Sequence, residues 1–129
     1  MSAGETVLLY NIKDEKKLRT MKMVFLKMGI RIRIITPDLY LQTIGSLIPL
    51  KGFEKTDTVF GESGFADEMM VLHGFSSLRL DELLRELYKR HIPKIELKAI
   101  CTQENISWNS LKLHEELVKE REALNARPT

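Results

Sequence analysis

Apolar positions along the chain change rhythm several times, and each rhythm predicts an element. "TVLLY" (Thr6–Tyr10) is almost wholly apolar and reads as a buried strand. After the turn "NIKDE", Leu18, Met21, Val24, Phe25 and Met28 recur at spacings of three and four. One apolar stripe of that kind predicts a helix over about 15–28, stopped by Gly29. "IRIRII" (Ile30–Ile35) alternates, with Ile30, Ile32 and Ile34 facing one way and Arg31 and Arg33 the other, as in a strand with one drier face. "TPD" then opens a second helix: Thr36 suits the N-cap, Pro37 the first helical position and Asp38 the positive end of the dipole. This helix is expected to run through "PDLYLQTIGSLI" and end before Pro49. The polar, glycine-rich stretch 49–68 reads as a loop, either mobile and functional or hiding a short strand near Thr58–Phe60.

The second half is built in the same way. "EMMVLHGF" (Glu68–Phe75) is a third strand, apolar without alternation. "SSLRLDELLRELYKRHI" is a helix with Leu80, Leu83, Leu84, Leu87 and Tyr88 as its stripe, capped by Ser76 or Ser77. "KIELKAIC" (Lys94–Cys101) is a fourth strand, with Ile95, Leu97 and Ala99 alternating with Glu96 and Lys98. A last helix is expected from about Ser107 to Leu124, with Trp108, Leu111, Leu117 and Val118 as core contacts and a frayed tail "NARPT".

The halves, about 6–48 and 69–124, resemble each other. "VLLYNI" aligns with "MVLHGF" at an offset of 63 (Val7 to Met70), "MGIRIRII" with "RHIPKIEL" at 62 to 63, and "TPD" with "TQE" at 66 (Thr36 to Thr102). A βαβα pseudo-repeat fits this pattern. Alternating strands and helices predict an α/β fold with right-handed parallel connections. The apolar first and third strands belong in the middle, and the charged second and fourth at the edges. The fold expected is one α/β domain over residues 1–129, a three-layer sandwich of four mostly parallel strands in the order 2-1-3-4. A crevice for ligands then lies beyond the carboxyl ends of strands one and three, where the chain direction across the sheet switches. Its candidate residues are Asn11, His73 and Gly74, with Thr36 and Thr102 at the nearby helix starts.

Composition narrows the classes. The 129 residues suit one domain; 43% are hydrophobic and 29% charged, as in a water-soluble globular protein. A net charge of +2 gives no electrostatic reason to expect a nucleic-acid partner or an anionic membrane. One cysteine excludes an internal disulfide, and "MSAGETVLLY" lacks the pattern of a secretory leader. No apolar stretch approaches the ~20 residues that span a bilayer. A cytoplasmic location is the simplest expectation.

"ICTQENISW" (Ile100–Trp108) holds the only cysteine and the only tryptophan. Cys101 reads as a small buried residue; the alternative is a nucleophile activated by His73 or His91. Thr102 repeats the capping part of Thr36, Asn105 or Ser107 can cap as well, and Trp108 packs the last helix on the sheet or offers a ligand a stacking surface. "MMVLHGF" followed by the leucine-rich helix and "LKAICTQENISWNSLKLHEELVKE", with Thr102, Asn105 and Trp108 in a T-x-x-N-x-x-W spacing, resembles the small bacterial domain family catalogued as domain of unknown function 3783. The resemblance spans about Met69 to Glu120. It implies that these three residues act as a unit, and brings no activity, because the family is uncharacterised.

His73 could be an acid or base near neutral pH, or a hydrogen-bonded core residue. His91 and His114 match no metal spacing, and no H-E-x-x-H, C-x-x-C or EF-hand loop occurs, so no metal or cofactor is expected. "GESG" (Gly61–Gly64) lacks the Gly-Lys-Ser/Thr ending of a phosphate loop. "YKRHIPK" and the Arg31/Arg33 pair read as solvated faces. No catalytic constellation emerges. The leading functional expectation is a non-enzymatic binding or protein-interaction module, with self-association, a protein partner or a small ligand all open. The alternative is a small enzyme using the crevice, with His73, Asn11 and Cys101.

Overall fold

A computed structural model of the chain describes residues 4–126. Residues 1–3 and 127–129, with the start of the stretch read for a leader and the end of the tail, lie outside the described residues. The elements are β1 (Thr6–Tyr10), α1 (Glu15–Lys27), β2 (Arg31–Ile35), α2 (Ile44–Leu47), β3 (Met69–His73), α3 (Ser77–Lys89), β4 (Leu97–Ile100) and α4 (Ser110–Asn125). Short 3-10 turns at Pro37–Leu39 and Asn105–Ser107 precede α2 and α4.

The four strands form one sheet in the order β2-β1-β3-β4, so the apolar pair is central as its composition requires. The sheet is mixed, which corrects the expectation of mostly parallel strands. β1 pairs with β2 and β3 with β4 in parallel, but β1 and β3 run antiparallel, with Thr6 opposite His73 and Tyr10 opposite Met69. The reason lies in the connection. α1 and α3 have 13 residues each, about 20 Å, enough to carry the chain back past a strand. α2 has only four residues, about 6 Å, and cannot. The chain enters β3 from the end of the sheet at which it left β2.

The long helix expected over 37–48 breaks at Leu41–Thr43. Gln42 pairs its side-chain amide with the backbone of Thr56, donating to the carbonyl at 2.7 Å and accepting from the N–H at 2.9 Å. Thr43 caps α2 by accepting from the Ser46 N–H at 3.1 Å. Thr36 makes no side-chain cap; its hydroxyl donates to the Asp38 carboxylate instead. The last helix also starts later than expected. Asn109 is its cap, accepting from the Lys112 N–H at 2.9 Å, and Trp108 is extended (ψ 157°), outside the helix. Thr43 and Asn109, both caps, face each other in an antiparallel bridge.

Alternate strand residues feed two core clusters. Leu8, Tyr10, Met69, Val71, Leu97 and Ala99 join Ile44 and Leu47 of α2 and Leu113 of α4. Val7, Leu9, Met70 and Leu72 join Met21, Val24 and Phe25 of α1 and Leu83 and Leu87 of α3. The edge strands are less covered. Ile34 is 45% exposed and Ile100 52%, while Ile35 is buried, so the drier face of β2 is not the Ile30–Ile32–Ile34 row throughout.

Candidate functional site

The antiparallel central pair divides the candidate residues between opposite ends of the sheet. Asn11 and Thr36 follow the carboxyl ends of β1 and β2 at one end; His73, Gly74, Thr102 and Asn105 lie at the other. Asn11 and His73 therefore do not share one end of the sheet.

Asn11 has the left-handed backbone (φ 59°) that asparagine tolerates better than most residues. Its amide nitrogen donates to the carbonyls of Phe65 (2.9 Å) and Asp67 (3.0 Å) and lies 3.3 Å from the Tyr40 hydroxyl. It thereby holds the 49–68 segment against the sheet end. Phe65 stacks between Tyr40 (ring centroids 4.6 Å apart) and His114 (3.9 Å), and His114 Nε2 lies 2.8 Å from Asp67 Oδ2. The segment contains no strand near Thr58–Phe60; it is irregular chain pinned by aromatic rings and side-chain amides.

At the other end, half-buried His73 has its imidazole pKa lowered by burial. Gly74 (φ 84°) passes so close to the chain entering β1 that an added Cβ would lie 3.3 Å from the Gly4 carbonyl oxygen. Burial pushes the Cys101 thiol up to about 12, the reverse of what a thiolate nucleophile requires. Arg79 grips Glu5 with two hydrogen bonds (2.9 and 2.7 Å) and donates to the Met28 carbonyl at 2.7 Å, tying α3 to the starts of β1 and β2.

Thr102 and Asn105 are a reciprocal pair. Asn105 Oδ1 accepts from the Thr102 N–H at 2.8 Å, and Thr102 Oγ1 accepts from the Asn105 N–H at 3.1 Å. Asn105 Nδ2 also donates to the Ile100 carbonyl at 3.0 Å. The Cys101 N–H bonds inward to Leu72 of β3, so by strand alternation the polar groups of Ile100 and Thr102 point to the open edge. One carboxamide thus stands where a neighbouring strand would donate and accept. Trp108 follows, half-buried against the first core cluster, with the Lys112 ammonium 5.6 Å from its ring and its carbonyl accepting from the Ile44 N–H at 2.8 Å. Trp108, Ile100 and Leu117 line a shallow groove of about 320 Å³ between β4 and α4.

The larger and more apolar groove was not legible in the sequence. It lies between α3 and β4, about 420 Å³ in volume, lined by Leu84, Leu87, Tyr88, Ile92, Ile95 and Lys98 among others. Lys98 is the anomaly. The pairs Val7–Ile32 and Met70–Lys98 occupy equivalent places in the two halves. Where the first half puts an isoleucine, the second puts a half-buried lysine in the lining of the groove. Desolvation by burial and then the nearby Lys94 hold the Lys98 pKa below its usual range, with Glu96 acting the other way. Lys98 pairs with no carboxylate among the described residues.

Residues 68–124 match the family model Domain of unknown function (DUF3783). No curated protein and no solved structure matches the chain. The DUF3783 stretch takes in β3, α3, β4 and α4, with nearly all of the apolar groove, and excludes Asn11 and Thr36. Among the described residues no helix is long and apolar enough to cross a membrane, and no group of three His, Cys, Asp or Glu side chains could hold a metal ion.

Proposed function

We propose that the protein is a non-enzymatic binding module whose ligand site is the groove between α3 and β4. The observation that carries this reading is the 420 Å³ apolar concavity with two lysines, Lys94 and Lys98, in its lining. Small-molecule sites are typically hollows of ~300–1,000 Å³, mostly apolar with a few placed polar groups. Within the same reading the molecule is one cytoplasmic α/β domain of three layers, a βαβα pseudo-repeat. The matched register of the two halves supports the repeat, and the two core clusters support the layers.

The enzymatic alternative required Asn11 and His73 to share a pocket with Cys101. Their separation, the commitment of Asn11 to the 49–68 segment and the raised Cys101 pKa all favour binding over catalysis. Self-association through the β4 edge is disfavoured by Asn105, which already occupies that edge at its carboxyl end.

The test is thermal unfolding with 1-octanol, in the wild type and in Leu84→Trp, which fills the groove. A ligand of the native state must raise the melting temperature as its concentration rises. Saturable stabilisation of the wild type, absent in the variant, is expected. No stabilisation, or an equal effect in Leu84→Trp, would remove the reading.

A further inference from the structure

We propose that the groove between α3 and β4 selects a free linear aliphatic carboxylate, its chain lying along Leu84, Leu87 and Ile92 and its headgroup pairing with Lys98 and Lys94. This rests on the reading of the groove as a ligand site and adds the chemical class of the ligand.

The first ground is shape and polarity. The hollow is lined by aliphatic side chains of α3 and of the 92–95 connection, and its two lysines, Lys94 and Lys98, lie near each other. A ligand that matches both is apolar along its length and anionic at one end. The second ground is the comparison between halves. Ile32 shows that the fold is satisfied by a hydrocarbon at the place of Lys98. Setting a partly buried ammonium there costs desolvation that Glu96 offsets only at a distance, with no ion pair to Lys98 among the described residues. A ligand carboxylate offsets it with a charge-assisted hydrogen bond, roughly twice as strong as a neutral one. A longer-range anion such as phosphate would meet the ammonium groups but leave the hydrocarbon wall unfilled, and a neutral hydrocarbon would do the reverse.

Calorimetric titration of octanoate and of 1-octanol into the wild type and Lys98→Met separates the possibilities. In the wild type octanoate is expected to bind at least about tenfold tighter than the alcohol, the scale of one charge-assisted contact. In Lys98→Met that preference is expected to vanish while the alcohol still binds. Methionine should be accommodated because isoleucine occupies the equivalent place, and a melting curve checks that the variant folds; Lys98→Gln repeats the measurement if it does not. Equal affinities in the wild type, or a preference that survives both substitutions, would overturn the carboxylate assignment alone. Failure of both ligands to bind the wild type would overturn the ligand site with it.

Discussion

Thr6 stands opposite His73 across the central strand pair, at the end of the sheet remote from Asn11. The antiparallel register from Thr6–His73 to Tyr10–Met69 puts Asn11 and His73 at opposite ends of the sheet. It can be checked in solution. The Arg31 N–H bonds to the Glu5 carbonyl at 2.9 Å, so by alternation Thr6, Leu8 and Tyr10 direct their backbone groups to β3. Val7–Leu72 and Leu9–Met70 are then the close, non-bonded pairs, with Cα atoms about 4.5 Å apart. Strong Hα–Hα nuclear Overhauser effects are expected for those two pairs. Their absence would contradict the mixed sheet.

Phe65 stacked between Tyr40 and His114 fastens the 49–68 segment. Phe65→Ala is expected to cost about 2 kcal/mol, less than the ~3–5 of a fully buried phenylalanine, because Phe65 is only half-buried. Limited proteolysis should show faster cleavage within 54–64 in the variant. Unchanged cleavage would mean that the aromatic stack does not hold the segment.

Strand order was legible in the residues; strand direction was not. The uniformly apolar "VLLY" and "MMVL" against the charged "RIRI" and "ELKA" were enough to place β1 and β3 inside and β2 and β4 outside. Direction depended on whether "PDLYLQTIGSLI" was one helix long enough to recross the sheet. Its apolar content suited a helix, but tertiary bonds to Gln42 and Thr43, with partners at Thr56 and Asn109, broke it. Those partners lie 14 and 66 positions away, beyond any local pattern. The T-x-x-N-x-x-W spacing marks Thr102, Asn105 and Trp108 as a joint, although the late start of α4 leaves Trp108 outside the helix. The groove has no local signature, because at the 62 to 63 offset of "MGIRIRII" and "RHIPKIEL" Lys98 does not fall on Ile32. At the 66 of the "TPD"–"TQE" match, Lys98 falls on Ile32, and the misplaced charge stands out.

Asn105 fills two backbone positions at the carboxyl end of the β4 edge. Asn105→Ala should cost about 1 kcal/mol in urea unfolding, the usual net worth of a hydrogen bond beside solvent. Amide exchange at Thr102 should quicken in the variant. An unchanged exchange rate there would show that the carboxamide does not guard the edge.

The Arg79–Glu5 contact predicts a pH dependence of definite sign. Hydrogen bonding from Arg79 holds the Glu5 carboxyl below its ordinary pKa of 4.5, with burial opposing it. A carboxyl whose folded pKa is depressed contributes stability above the unfolded pKa and loses it as pH falls through the folded one. The melting temperature of the wild type should therefore exceed that of Glu5→Gln near neutrality, and the gap should close as pH drops below 4.5. A gap independent of pH would assign the contact no ionic part.

Mapping amide chemical shifts while 1-octanol is titrated into isotope-labelled protein locates the binding surface directly. Saturable shifts concentrated at Leu84, Tyr88, Ile92 and Lys98, with none at Asn11 or His73, are expected of a groove between α3 and β4 that receives an aliphatic chain. Shifts gathered instead at the strand ends, or none that saturate, would contradict it.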